Sequence, residues 1–292
     1  MPNYYALIEA GGTKFNCAIA DENRNLLVQD RFDTSTPNET ITAVINFFVQ
    51  QKAQGYHFEK LGLACFGPLD LNPHSASFGN ITSTPKPHWS NVDIKQQLEK
   101  ALNCSVGIDT DVNAAALAEY KWGASQNTEV NVYVTVGTGV GGGVVINGKT
   151  LKGLVHPELG HMLISGVTEI EGVCPFHGNC VEGLAAGKSM AKIWQQPAQN
   201  LSEDHQAWDI QAKVLGKLCH NLMVSFSPQS IVFGGGVMSK NGLLAKTIEY
   251  AEQSLKDYVV FPDGHRGLKQ IITLPGLDSH SGIFGALALL LD

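Results

Sequence analysis

The sequence predicts an α/β protein made of two copies of one plan that flank a cleft, and three observations predict it. Apolar strands alternate with segments of helical periodicity along the chain. A unit of strand, glycine turn and strand occurs near the start and again from Val130, each time followed by a third strand. A further matched pair of strands ends in glycine, at Gly67 in one half and at Gly234, Gly235 and Gly236 in the other.

Taken in order, YYALIEAGGTKFNCAIADENRNLLVQDRFDT reads as a strand from about Tyr4, a glycine turn, a strand, a polar turn and a third strand. NETITAVINFFVQQKAQG has apolar residues at helical spacing, with Asn38 as its N-cap and Gly55 as its C-cap. KLGLACFGPLD is a buried strand that stops at Gly67, CSVGI is another strand, and NAAALAEYKWG is a helix. VNVYVTVGTGVGGGVVINGKTLKG repeats the opening unit, with its glycine turn at Gly137, Thr138 and Gly139 and a hairpin turn at Asn147 and Gly148. WDIQAKVLGKLCHNLMVSFSP is a helix halted before Pro228, SIVFGGGVMS a strand ending in glycines, and SGIFGALALLLD a short buried helix. No Pro-rich linker separates the halves. The expected domains are residues 1–115, a small α/β domain, and 116–275, a larger one carrying the loop that contains His161, Cys174, His177 and Cys180. Residues 276–292 form a helix expected to pack back on the first domain.

A net charge of −7 without any block of Lys or Arg excludes a broad nucleic-acid or anionic-membrane surface. The opening residues lack the pattern of a signal peptide, and no apolar run approaches a membrane span, so a cytoplasmic protein is expected. Cys17, Cys65, Cys104 and Cys219 lie in apolar segments and read as buried thiols. Cys174 and Cys180 differ, because with His161 and His177 they form H-x12-C-x2-H-x2-C. Two thiolates and two imidazoles make a closed tetrahedral set that suits a structural zinc and leaves no position for a reactive water. Metal binding there would order a loop with little apolar core of its own. HPELGH is not the H-E-x-x-H of a metalloprotease, because Pro157 stands between His156 and Glu158. His156 reads as a surface residue without a role.

The turn in EAGGTK allows close approach of a ligand to the backbone, since glycine removes the Cβ and permits positive φ. Backbone N–H groups and the Thr13 hydroxyl can hold phosphate oxygens. The pattern is neither a P-loop nor a dinucleotide fingerprint. One such turn mostly closes a hairpin, whereas two on duplicated hairpins, with a third glycine run in FGGGV, point to phosphate binding. Asp109 and Asp111 follow the strand CSVGI, and a strand end facing a cleft is where an α/β fold places its site. Either acid could serve as a general base, and the competing reading is a helix N-cap.

IEAGGTK, DTDVNAAALAEYKWG, HPELGH with the following Cys, His, Cys and Glu, and IVFGGGV occur in the order found in ROK-family sugar kinases, which the chain resembles from about Ala6 to Leu290. Within that family it is most similar to bacterial fructokinases, on its opening residues, its STPKPHW segment and its His-Cys-His-Cys set. The resemblance implies the fold of the actin, sugar kinase and Hsp70 superfamily, two duplicated ribonuclease-H-like domains flanking a cleft. It implies transfer of the ATP γ-phosphoryl group to the 6-hydroxyl of a hexose, D-fructose first, with Mg2+, a structural Zn2+ and a homodimeric assembly. Mannose, glucose or an N-acetylhexosamine is the alternative substrate. A non-catalytic sugar-binding or regulatory ROK protein is the alternative class, but such regulators carry a helix-turn-helix before the kinase-like part, and here the first strand begins by about Tyr4.

The same resemblance places the base at Asp111 and sets Glu9 where many superfamily members have Asp, orienting magnesium. It assigns Gly11, Gly12, Thr13 and Lys14, with Gly137, Thr138 and Gly139, to the ATP phosphates, and Gly234, Gly235 and Gly236 to the adenosine end. It assigns Glu158, His161 and Glu182 to sugar hydroxyls, with His161 shared between metal and sugar. Gly67, Asn80, Lys86, Trp89, Thr110 and Asp111 complete the expected sugar site, where Trp89 reads either as a sugar-facing aromatic or as a core anchor. Two residues depart from the fructokinase pattern: Thr110 stands where Asn often precedes the base, and His88 where glycine is frequent.

Overall fold

Alternating apolar residues build the first strands, Tyr4–Ala10 (β1), Lys14–Asp21 (β2) and Leu26–Asp33 (β3), of which β1 buries Leu7 and Ile8 completely. The computed structural model describes residues 3–261 and 267–291. It divides into one unit of Met1–Lys121, Lys149–Pro157 and Ser279–Asp292, and a second of Trp122–Gly148 and Glu158–Asp278. The division falls past residue 115 because the helix begun at Asp111 runs unbroken to Trp122. The grouping of Lys149–Pro157 with the first unit departs from the domain limits read from sequence.

In the first unit β3, β2 and β1 run antiparallel, while Phe58–Cys65 (β4) and Ser105–Thr110 (β5) add parallel strands in the order β3-β2-β1-β4-β5. Helix Pro37–Ala53 (α1) connects β3 to β4, Ile94–Leu102 (α2) lies between β4 and β5, and Asp111–Trp122 (α3) follows β5. α1 begins earlier than Asn38: the Thr36 hydroxyl accepts from the Glu39 N–H, the Glu39 carboxylate accepts from the Thr36 N–H, and Pro37 at the first position has no N–H to satisfy. Gln54 is its C-cap residue, and Gly55, at φ 99°, follows it.

The second sheet has the order β10-β9-β6-β7-β8, from Val130–Val136 (β6), Val140–Ile146 (β7), Lys149–Thr150 (β8), Ser230–Gly234 (β9) and Ile272–Thr273 (β10). With β6, β7 and β9 in the places of β1, β2 and β4, this repeats the first sheet: an antiparallel hairpin, then parallel strands beside its first member. Its helices are Val181–Ala185 (α4), Gly187–Trp194 (α5), Gln206–Phe226 (α6), Leu243–Leu255 (α7) and Leu268–Ile271 (α8). The last helix, Ser281–Ala288 (α9), belongs to the first unit and packs on β1 and β4. Among the described residues no helix is long and apolar enough to cross a membrane.

Candidate active site and metal centre

The β1–β2 turn is held from outside. The Gly11 N–H donates to the Lys14 carbonyl at 2.9 Å, and Thr34, just past β3, donates its hydroxyl to the Gly11 carbonyl at 2.8 Å and its N–H to Thr13 at 3.0 Å. Gly12, Thr13 and Lys14 are exposed, and the space a Gly12 Cβ would occupy is open. Neither Gly11 nor Gly12 adopts positive φ, so the missing side chains supply room above the turn rather than an unusual backbone. Glu9, near the end of β1, accepts from the Asn16 side chain through Oε2 at 2.7 Å. Its Oε1 lies against Gly282 in α9, where a Cβ would stand 2.0 Å away. Glycine at 282 thus accommodates the extra methylene of Glu at this strand end. A cavity of about 370 Å³ lined by Glu9, Lys14, Asn16, Arg31 and His280 adjoins these groups.

The β6–β7 turn repeats the device. The Gly137 N–H donates to the Gly139 carbonyl at 2.9 Å, Thr138 is exposed, and the space beside Gly137 is open. Glu182 Oε2 accepts from the Val140 N–H at 3.0 Å, so one oxygen of this expected sugar ligand serves the turn and Oε1 remains for a hydroxyl. The glycines after β9 divide by role. Gly234 packs on Tyr133, Gly235 takes φ 90° against the Val136 carbonyl, and Gly236 faces open space. Packing and backbone geometry account for the first two, which leaves Gly236 as the one beside open space.

At the β5–α3 junction the two acids separate. Asp109 is 1% exposed; it accepts from the Thr110 N–H at 2.8 Å, from the Asn113 side chain at 2.8 Å and from the Thr150 hydroxyl at 2.8 Å, with Lys152 at 3.2 Å. Thr110, 3% exposed, caps α3 by accepting from the Asn113 N–H at 3.1 Å. Asp111 is therefore the first helical residue and not the cap. It is half-buried, and its Oδ1 accepts from the Val112 N–H at 2.9 Å. Burial first and the Asp111 charge second hold the Cys65 thiol well above its usual range.

The loop after β4 turns at a cis Gly67–Pro68 bond. The Leu69 N–H donates to His156 Nε2 at 3.1 Å, and Asp70 donates its N–H to the Asn80 carbonyl at 3.0 Å. Asn80 Oδ1 is buried and has no hydrogen-bond partner among the described residues. Lys86 is half-buried in the following turn. His88 sits there at φ 69°, which explains why glycine suits that position. Trp89 corrects the expectation of a sugar-facing aromatic: it is 0% exposed, packs against Phe15 and Phe66, and donates its indole N–H to the Ser35 carbonyl at 2.8 Å. His156 corrects the reading of a surface residue, since it is buried and holds the Leu69 amide.

In the second unit the four metal-ligand candidates converge. Their ligating atoms all lie within 4.8 Å of one another, with His161 Nδ1 3.9 Å from the Cys174 sulfur and 3.6 Å from the Cys180 sulfur, and His177 Nδ1 3.8 Å from the Cys174 sulfur. Bond lengths of about 2.3 Å to sulfur and 2.1 Å to nitrogen give a tetrahedral S···N edge of about 3.6 Å, so the donors fit one tetrahedral cation. A tight turn, with reciprocal backbone bonds between Cys174 and Gly178, presents Cys174 and His177 together. Burial, opposed by the Gly183 N–H and reinforced by Cys174, pushes the Cys180 thiol up to about 11, and a bound cation would displace that proton. Glu158 is exposed at the start of the Leu159–His161 3₁₀ turn, its carbonyl accepting from the His161 N–H at 3.0 Å.

Residues 5–292 match the ROK family profile. The chain belongs to the ROK family. This ROK chain is 44% identical to the fructokinase of Zymomonas mobilis subsp. mobilis, over 98% of its own length and 96% of the relative's. It is similar in structure to a ROK hexokinase from Thermus thermophilus, with TM-score 0.78, 27% identity and coverage of 98% and 97%. It also shares the fold of a ROK family glucokinase from Streptomyces griseus in complex with glucose and AMPPNP, with TM-score 0.76, 21% identity and coverage of 97% and 98%. The architecture is that of the two-domain ROK sugar kinases.

Within its first unit the ROK chain carries Glu9 and its glycine turn, the Gly67 and Asn80 loop, and Asp111; within its second it carries the other turn, Glu158, His161, Glu182 and the metal set. Sequence reasoning missed Thr34, Asn16, His156 and Gly282 as supports. Only Asn16 carried a signal, since it lies opposite Glu9 in a predicted hairpin.

Proposed function

We propose that this ROK protein is an ATP-dependent fructokinase that phosphorylates the 6-hydroxyl of D-fructose. The observation that carries the kinase reading is the pair of glycine turns, equivalent in two sheets of one topology, each with open space beside its glycine at Gly12 or Gly137. Fructose is the substrate on the strength of the 44% identity to a fructokinase along nearly the whole chain.

Asp111 takes the proton of the 6-hydroxyl as its oxygen attacks the γ-phosphorus. The bond from that phosphorus to the β,γ-bridging oxygen breaks, and ADP leaves. Asn80, Glu158, His161 and Glu182 Oε1 recognise sugar hydroxyls, and the N–H groups of the two turns hold phosphate oxygens. Magnesium, when bound, neutralises charge developing on the phosphates, and Glu9, oriented by Asn16, suits it through water. Zinc is the cation that the two thiolates and two imidazoles select, as a closed structural centre. The enzyme works in the cytoplasm, where ATP is supplied, as a homodimer.

A coupled ADP-release assay over D-fructose, D-mannose, D-glucose and N-acetylhexosamines tests this reading. D-Fructose should give the highest kcat/KM, with fructose 6-phosphate as product. A higher value for another hexose would overturn the substrate, and no turnover on any would overturn the kinase.

A further inference from the structure

Glu182 connects two features of the second unit. It lies in α4, a five-residue helix whose N-cap is the metal-ligand candidate Cys180, with Sγ accepting from the Gly183 N–H at 3.4 Å. From there Glu182 Oε2 reaches the Val140 N–H at 3.0 Å and leaves no room for a side chain at Gly139, where a Cβ would stand 2.6 Å from Oε2. The start of α5 grips the other side of the turn: the Gly187 N–H donates to the Gly137 carbonyl at 2.8 Å and the Lys188 N–H to the Thr138 carbonyl at 3.4 Å. Ser189 donates its hydroxyl to the Glu182 carbonyl at 2.6 Å, which ties α4 to α5.

The three residues of the β6–β7 turn are therefore clasped by a segment that begins at a candidate metal ligand. Cys180 is fixed on its other side as well, by the bridge to Leu163 and by the Val181 N–H to the Met162 carbonyl at 3.0 Å. We propose that Glu182 is a positioning residue for the second phosphate turn, and that the metal loop sets nucleotide affinity through it. The inference deepens the kinase reading and rests on it for the identity of the nucleotide. Physically, Cys180 would be held by a bound cation, Cys180 caps α4, and α4 aims the carboxylate that keeps the Val140 amide and the Gly137 to Gly139 backbone in one conformation. A turn held this way binds phosphate without first losing backbone freedom.

The test uses the full-length protein and a non-hydrolysable ATP analogue, without sugar. Titration calorimetry reads its Kd, hydrogen exchange reads the Val140 amide, and elemental analysis reads metal. Removing metal by chelation, or Cys180→Ser, should weaken analogue binding at least about tenfold and speed exchange at Val140. Glu182→Ala should do the same with metal content retained, and Glu182→Gln, which keeps an acceptor for Val140, should recover part of the affinity. Chelation of Glu182→Ala should then cost little more, because both changes cut one connection. The proposal is overturned if Glu182→Ala leaves Val140 exchange unchanged, or if chelation weakens analogue binding by the same factor with and without Glu182. Should the wild type bind no analogue, the kinase reading fails separately, and Val140 exchange on chelation and in Glu182→Ala still decides the coupling.

Discussion

Replacing Gly282 with alanine would put a methyl carbon 2.0 Å from Glu9 Oε1 and 2.4 Å from its carboxyl carbon, where ordinary contact begins at 3.4 Å. The carboxylate must then retreat by about 1.4 Å, since the alternative is to shift α9 off the sheet on which it packs. Retreat breaks the 2.7 Å bond from Asn16, a charge-assisted hydrogen bond of the kind that contributes about 1.5–3 kcal/mol. A displacement of about 1 Å in a group that orients reactants can lower turnover by about 10²-fold. Gly282→Ala should accordingly lose about 10²-fold in kcat and need more magnesium for half-maximal rate. Thermal stability should fall modestly, because one hydrogen bond is lost and alanine in the first turn of α9 regains only part of it. The coupled ADP-release assay across a magnesium titration reads both effects. The decisive partner is Glu9→Asp in the Gly282→Ala background, since a shorter acid fits beside alanine, and it should recover at least about tenfold. A Gly282→Ala enzyme with wild-type turnover and magnesium dependence, or a double variant no better than the single one, would refute the reasoning.

Asp111→Asn should lower kcat by at least about 10²-fold while analogue affinity stays near wild type, and near-normal turnover would remove Asp111 from the role of base. Trp89→Phe should lower Tm through the lost bond to Ser35 and the smaller ring, at a cost of about 1–3 kcal/mol, with KM for fructose within about twofold. A raised KM with an unchanged Tm would return Trp89 to the sugar. His156→Leu strands the buried Leu69 N–H, so it should raise KM for fructose while leaving KM for ATP unchanged, and His156→Gln, which offers an oxygen acceptor, should restore part of it. Equal effects on both substrates would assign His156 to general stability.

The helix boundaries show where local signals were sufficient and where they were overlooked. Thr36, Pro37 and Glu39 are a capping box written entirely in adjacent residues, so the start of α1 was available to sequence reasoning even though Asn38 was read as the cap. The choice between Asp109 and Asp111 was not available in that way. In the sequence both lie between CSVGI and NAAALAEYKWG, whereas in the structure Asp109 is in β5, where Thr150 and Lys152 from a later segment meet it, and Asp111 opens α3.

By itself the sequence determined the α/β class, the repeated hairpin with its glycine turn, and the His161, Cys174, His177 and Cys180 set. Each is encoded by period or spacing within a short segment: strand alternation, turn residues, and x2 intervals that bring ligands to one loop. Only the tertiary structure decided that Trp89 is core, that His156 holds Leu69 from 87 residues away, that Thr34 braces Gly11, and that Gly282 makes room for Glu9. Period and spacing specify which face of its own element a side chain occupies. Which residue from a distant part of the chain meets that face follows from how helices and sheets pack, and burial and hydrogen-bond satisfaction are settled at that step.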